Sequence, residues 1–305
     1  MPIVSLGEAF VEFVKAEKGE LAKTGSFFGP YPSGAPAITT SAVSKMGIKS
    51  KYIAVVGDDQ FGRAFISRLS ADGVDISSIR RVSSRTTGMA FVSYSDGSRS
   101  FLFHAKDSAT ALLKEGDVDL RGAEILHISG SALGMGWGVA RAVKKAVREA
   151  KEAGIPISFD PNVRTELMNE RMKAQLIGLS RSSDYLLLSK EDGAQLFGGD
   201  VEGVSLSLSK QKRGVILKMG KDGSILFEKG VSRAIKTYRV QEVDPTGAGD
   251  WYNGAFLAML QRGKSLDEAA AIASAAAAIS VTKISPMDGP SSYDEVAEFM
   301  KKANN

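Results

Sequence analysis

The sequence predicts an α/β fold: a mostly parallel sheet with right-handed crossovers, carrying a small second β-sheet. Three observations predict it. Short runs rich in Ile, Val and Leu alternate with longer segments of helical periodicity, as repeated strand–helix units require. Two stretches, residues 17–32 and 87–104, break that rhythm with strand-like and glycine-rich patterns. The 305 residues are 43% hydrophobic and 24% charged, enough apolar surface to bury a core and offset ordering entropy.

The first strand is read at residues 3–6 and the next at 52–56. Further runs at 125–128, 157–159, 185–188 and 215–217 are apolar enough to be strands covered on both faces. Between them, Val139, Val143, Ala146, Val147 and Ala150 recur at helical spacing, with Arg141, Lys144, Lys145, Arg148 and Glu149 turned away. Gly154 ends that helix before Pro156 and the next strand. Ser265 with Glu268 and Ser292 with Glu295 have capping-box spacing. The stretch 17–32 is polar and groups Phe27, Phe28 and Tyr31. Residues 88–94 and 99–104 alternate around the turn Ser95-Asp96-Gly97-Ser98 and read as a hairpin. The two stretches are expected either to combine as a lid over a cleft or to be surface hairpins. There is no internal repeat and no low-complexity linker.

Composition excludes several function classes. Lys+Arg 39 against Asp+Glu 35 gives +4, and the basic pairs Arg80-Arg81, Lys144-Lys145 and Lys301-Lys302 are isolated. No basic block with interleaved aromatics marks a nucleic-acid binder. The absence of cysteine excludes thiolate catalysis, disulfides and cysteine-based metal sites. With His104 and His127 as the two histidines, a metal here is expected to be a hard cation on oxygen ligands. The start MPIVSLGEAF lacks the pattern of a signal peptide. The alanine-rich run 269–281 is broken by serine and reads as a buried helix, not a membrane span. The expectation is a cytoplasmic enzyme of small molecules, with no nucleic-acid or membrane partner.

The most informative segment is Val243-Asp244-Pro245-Thr246-Gly247-Ala248-Gly249-Asp250, which opens a long apolar helix. Gly247, Ala248 and Gly249 carry little side chain, so backbone N–H groups can approach an anion at a helix start. Asp250 falls in the first turn beside that site. A carboxylate there can take a proton from a hydroxyl while the N–H groups balance charge on a transferring phosphoryl group. The plainer reading is a tight turn with a capping aspartate.

On this string the sequence resembles the ribokinase-like (PfkB) carbohydrate kinase family. Other segments resemble that family in its order: Gly7-Glu8 followed by Glu12, Ser33-Gly34-Ala35-Pro36-Ala37, Val56-Gly57-Asp58-Asp59-Gln60-Phe61-Gly62, Phe159-Asp160-Pro161-Asn162-Val163-Arg164 and Lys218-Met219-Gly220-Lys221-Asp222-Gly223. The resemblance covers nearly the whole chain. It implies one domain over 1–305, a three-layer α/β/α sandwich with a β-sheet lid from about 12–32 and 87–107, and phosphoryl transfer from ATP with Mg²⁺. It implies Asp250 as catalytic base and Gly247, Ala248 and Gly249 as the anion hole. Glu12 and Gly34 fall on the sugar side. Ser189, Lys218, Gly220, Gly223 and Thr246 fall on the nucleotide side, with Asn162 and Arg164 between. For Arg164 an ion pair with Glu166 or Asp160 stays open, and for Lys218 a solvated strand-end charge.

The chain departs from the family pattern at three points. Ser189-Lys190-Glu191-Asp192 stands where the family has Asn-x-x-Glu, leaving Asp192 as the carboxylate toward the metal. Ile38 stands in place of a sugar-binding asparagine, and Ser33 in place of a glycine. Branch features divide. Glu12, the segment from Leu126 to Gly130 with Leu133, and Asp107-Ser108-Ala109 resemble 2-keto-3-deoxygluconate kinases, whereas Gly34-Ala35-Pro36-Ala37 and residues 160–164 suit fructokinases equally. The arginine that pairs with a sugar-acid carboxylate is Ala105 here, beside Lys106, which offers a point charge only. His104 is expected either to touch the sugar or to face solvent, and His127 to be structural. The expected activity is 2-keto-3-deoxygluconate kinase, with fructokinase, another sugar or nucleoside kinase of the family, or an inactive nucleotide- or sugar-binding protein as alternatives. The lid edge and its aromatics suit either a homodimer contact or the pocket lining.

Overall fold

The computed structural model describes residues 1–95 and 98–303, so Asp96 and Gly97 of the hairpin turn lie outside the described residues. In chain order the strands are β1 (Ile3–Leu6), β2 (Phe10–Lys15), β3 (Phe27–Ser33), β4 (Ser50–Gly57), β5 (Ile79–Val82), β6 (Gly88–Ser95), β7 (Ser98–His104), β8 (Ile125–Ser129), β9 (Ile157–Asp160), β10 (Tyr185–Ser189), β11 (Gly214–Lys218), β12 (Ser224–Glu228) and β13 (Val231–Ile235). The helices are α1 (Ala35–Lys45), α2 (Gln60–Ala71), α3 (Trp137–Glu152), α4 (Glu170–Ser182), α5 (Lys190–Phe197), α6 (Val201–Ser209), α7 (Ala248–Gln261), α8 (Leu266–Ser280) and α9 (Tyr293–Ala303).

The large sheet runs β13-β12-β11-β10-β9-β8-β1-β4-β5. It is parallel from β5 to β11; β12 then pairs antiparallel with both β11 and β13, so that β12 is the reversed strand. Period-two alternation sorts its side chains between two faces. Val4, Leu6, Leu126, Ile128 and Phe159 pack on α3 and α4, while Ile3, Ile125, Leu187 and Ile216 pack on α7 and α8. The result is the three-layer α/β/α sandwich. Every strand read from the sequence is present. The sequence reading omitted β5, β12 and β13, whose short stretches mix polar and apolar residues.

Helix ends follow the sequence signals with one difference. Ser265 and Glu268 form a complete capping box. At the other site the Glu295 N–H donates to Ser292 Oγ at 3.3 Å, but Glu295 Oε2 reaches back to Ser291, accepting from its N–H at 2.8 Å and its hydroxyl at 2.7 Å. The reciprocal half is thus shifted by one residue. The alanine-rich segment is α8, largely buried against α7. No helix among the described residues is long and apolar enough to cross a membrane.

The second sheet runs β3-β2-β6-β7, with β2 and β6 parallel and the outer pairs antiparallel. It begins at Phe10, two residues before the boundary read from the sequence, because β2 leaves the core only three residues after β1. Phe13 stacks on Phe91 with centroids 5.2 Å apart, and Phe101 on Phe103 at 5.5 Å. These ring pairs hold a sheet too small to bury a core of its own.

Candidate active site

A cavity of about 910 Å³ lies between the small sheet and the C-terminal ends of the parallel strands. Its wall on the core side is the start of α7. Gly247 caps that helix with φ 81°, and a Cβ there would lie 2.6 Å from the Pro286 carbonyl oxygen. Glycine is therefore required by both conformation and space. The helix start leaves its first amides without intrahelical acceptors, beside the cavity. Asp250, in the first turn, is 7% exposed and accepts from Asn162 Nδ2 at 3.3 Å. Burial pushes its carboxyl up to about 8; Asp160 adds to this, while Lys218 and Arg164 oppose it.

Below Asp250, three side chains close a ring. Lys218 Nζ donates to Asp160 Oδ2 at 2.7 Å and to Asn253 Oδ1 at 3.0 Å, and Asn253 Nδ2 donates to Asp160 Oδ2 at 2.5 Å. Lys218 is thus a partly buried, paired cation rather than a solvated strand end. Asp160 Oδ1 accepts the Asn162 N–H at 3.1 Å, holding Asn162 at φ 39°. Asp192 Oδ1 accepts the Val163 N–H at 3.0 Å, and Ser189, which caps α5, accepts the Asp192 N–H. Burial, with Asp160 nearby, raises the Asp192 carboxyl to about 6.

Among the described residues no group of three or more histidine, aspartate or glutamate side chains could hold a metal alone. The donor set fits Mg²⁺ carried mainly by phosphate oxygens and water, with Asp192 as the protein carboxylate. Gly220, Gly223, Thr246, Ala277, Ala278 and Val281 line the cavity on the side of the α7 start.

The opposite end holds Glu8, Glu12, Gly34, Ile38 and Arg164. Glu12 Oε2 accepts from Ser33 Oγ at 3.1 Å, and Glu8 Oε1 from Ser131 Oγ at 2.7 Å. The Arg164 guanidinium lies over the Phe101 ring, 5.3 Å from its centroid. That ring contact replaces the surface ion pair considered for it. His104 and Lys106 are exposed and do not line the cavity. Alternation along β7 explains this: Phe101 and Phe103 face the cavity, so Leu102 and His104 face away. His127 is structural, buried with Nδ1 3.1 Å from Ser158 Oγ, and burial lowers it to about 4.

The structure brings together residues the sequence reading did not single out: Asp160, Asn253, Ser131, Tyr94 and Phe101. Asn253 lies three residues after Asp250, hence on the same helix face, and that spacing was a usable signal. Tyr94 and Phe101 follow from the hairpin's alternation. Tyr94 Oη donates to Asp244 Oδ1 at 2.8 Å and shares a 2.9 Å hydrogen bond with Thr246 Oγ1, joining the small sheet to the glycine turn.

The family model for the pfkB family of carbohydrate kinases matches residues 2–292. "Probable fructokinase-5" of Arabidopsis thaliana is 34% identical over 298 residues, covering 92% of this chain and 91% of that protein. Fructokinase-1 of Oryza sativa subsp. japonica is 31% identical over 317 residues, covering 99% and 98%. A solved E. coli structure, described as a candidate ribokinase II in complex with ATP and Mg²⁺, superposes with a TM-score of 0.92 at 36% identity, covering 99% of each chain. The chain belongs to the pfkB family, has the ribokinase-like fold, and is an ATP-dependent carbohydrate kinase using ATP and a divalent metal. The inactive-binder alternative therefore falls. The names of the relatives favour the fructokinase alternative over 2-keto-3-deoxygluconate kinase.

Proposed function

We propose that this pfkB carbohydrate kinase phosphorylates a neutral ketose, with fructose as the first candidate. The observation that carries the reading is the charge of the acceptor end. Glu8 and Glu12 line it, and Lys106, the cation a sugar acid would need there, is exposed outside the cavity. A substrate carboxylate would meet these two acidic side chains, with Arg164 among the cations that line the cavity. Sugar hydroxyls instead find acceptors. Ile38 adds an apolar wall that suits a carbon face rather than a hydroxyl.

In this reading the four-stranded sheet is a lid. Tyr94 fastens it to Asp244 and Thr246, and Phe101 to Arg164, so that water is excluded and the acceptor hydroxyl is held in line. Asp250 accepts the hydroxyl proton as the oxygen attacks the terminal phosphoryl group of ATP. The bond to the leaving ADP oxygen breaks, and the first amides of α7 balance the charge. A base raised to about 8 is closer in proton affinity to an alcohol than an ordinary aspartate. Mg²⁺, when bound, would neutralise charge on the phosphates, and Asp192 would be the protein carboxylate toward it. Asp160, tied to Lys218 and Asn253, fixes Asn162 against Asp250.

ADP release measured over fructose, ribose, 2-keto-3-deoxygluconate, inositol and nucleosides tests the reading. A higher kcat/KM on fructose than on the sugar acid is expected; the reverse order overturns it. The lid also carries a candidate dimer contact. Its edge strand β3 leaves Phe27 38% and Phe28 55% exposed. A dimer by light scattering that dissociates in Phe28→Ser supports that contact, and a monomeric wild type removes it.

A further inference from the structure

Glu8 stands two residues after β1, at the point where the sheet order reverses. β1 pairs with β4 on one side and β8 on the other, and the chain winds outward from it in both directions. In open α/β sheets ligands collect in the crevice beyond the carboxyl ends at such a reversal. Ser129 and Ser131, at the end of β8, form the other lip of that crevice. Their hydroxyls lie 2.8 Å apart, and Ser131 Oγ donates to Glu8 Oε1 at 2.7 Å.

The second oxygen is different. Glu8 is 2% exposed and lines the cavity, yet its Oε2 makes no hydrogen bond of good geometry among the described residues. Burial raises its carboxyl, and Ser131, with the N–H groups of Glu8 itself and of Ala35, opposes that rise, so the second oxygen has backbone dipoles near it but no seated donor. A carboxylate oxygen buried without a donor is costly, and the great majority of buried polar groups have a protein or water partner. With Oε1 tied to Ser131, Oε2 is the oxygen left for a ligand. Gly34 keeps the space above it clear: a Cβ there would lie 2.7 Å from the Glu8 carbonyl oxygen and 3.4 Å from its Cγ.

We infer that Glu8 is a sugar-binding residue, its Oε2 accepting a hydrogen bond from a substrate hydroxyl other than the one phosphorylated. Ser131 is then a positioning residue that holds the carboxylate in register with that hydroxyl. Glu8 and Glu12 thus read two different parts of the acceptor, one from the strand-end crevice and one from the lid. The inference rests on the reading of the acceptor as a polyhydroxylated sugar, and it does not depend on that sugar being fructose.

The test compares wild type with Glu8→Gln on the preferred sugar and on its monodeoxy analogues that keep the phosphorylated hydroxyl. The substituted side chain would present an amide donor where an acceptor is needed. A hydrogen bond to a charged group corresponds to roughly ten- to a hundredfold in kcat/KM. That loss is expected on the parent sugar, mostly through KM, with ATP affinity by calorimetry unchanged. On one analogue, the one lacking the contacted hydroxyl, the two proteins are expected to agree within about twofold. Ser131→Ala should show a smaller loss on the parent sugar with the same dependence on the analogue, and it decides the matter if Glu8→Gln does not fold. Equal losses on the parent and every analogue, or no loss on any, overturn the assignment. A wild-type preference for a sugar acid overturns the ketose reading alone, and the deoxy comparison on that acid then decides Glu8.

Discussion

The start of α7 and the four-stranded lid face each other across one cavity, and they are anchored very differently. Around Asp250, Trp251 is fully buried and donates to the Pro286 carbonyl at 3.3 Å, and the Thr39 hydroxyl donates to the Asp250 carbonyl at 3.3 Å. The Asp160–Lys218–Asn253 ring closes the space beneath. The lid carries exposed Phe27 and Phe28 and a register shift between Glu12 and Val14, and it is held over the cavity by contacts such as those of Tyr94 and Phe101. Proton transfer demands placement within fractions of an ångström, and the proposed mechanism puts it on the wall with buried anchors. It puts recognition and water exclusion on the wall with fewer of them.

If that division is right, changes in the α7 wall should appear in kcat and changes in the lid in KM for sugar. The largest effect is expected for Asp250→Asn, which removes the base: kcat in steady-state assays should fall about 10²–10⁴-fold with ATP binding little changed. Turnover near that of wild type would remove Asp250 from its role. Gly247→Ala forces a left-handed conformation on alanine and drives its Cβ into the Pro286 carbonyl. It should lower kcat by up to about 10²-fold through displacement of the turn and cost about 1–3 kcal/mol in denaturant unfolding. A rise in sugar KM alone would break the comparison.

The pH profile sharpens it further. The Asp250 carboxyl, raised by burial to about 8, becomes the active carboxylate as pH increases, so kcat/KM should climb through about pH 8. Lys218 lies on the side that favours the charged form. Lys218→Met should therefore move this limb to higher pH, and an acid shift would contradict the electrostatic origin. The smallest effect is expected for Tyr94→Phe, which loses the hydroxyl joining lid to turn. Sugar KM should rise on the order of two- to tenfold with kcat nearly constant. A kcat loss comparable to that of Asp250→Asn would mean that the lid shapes the chemical step itself.

Much of this arrangement was legible before the structure. The strands at 125–128 and 185–188 are buried on both faces, which leaves continuous apolar runs, and the glycine turn before Asp250 is a local string. The β12–β13 pair was not legible, because Ser224 and Glu228 interrupt its apolar pattern. Position in the chain leaves His104 open between the sugar and solvent and points Lys106 at the sugar; both are exposed outside the cavity. One residue of register in β7 put Phe103 at the cavity and His104 outside.

The sequence by itself determined the alternation of strands and helices, the glycine turn at the start of α7 and the aspartate that follows it. These depend on side chains within a few residues of one another, where backbone geometry fixes the outcome. Only the tertiary structure decided what surrounds that aspartate. Asn253 and Asp160 are 93 residues apart, Tyr94 and Thr246 152, and Glu8 and Ser131 123. Such pairs meet because whole layers pack, and no short pattern encodes the burial that raises the Asp250 carboxyl or leaves one oxygen of Glu8 without a seated donor at the cavity.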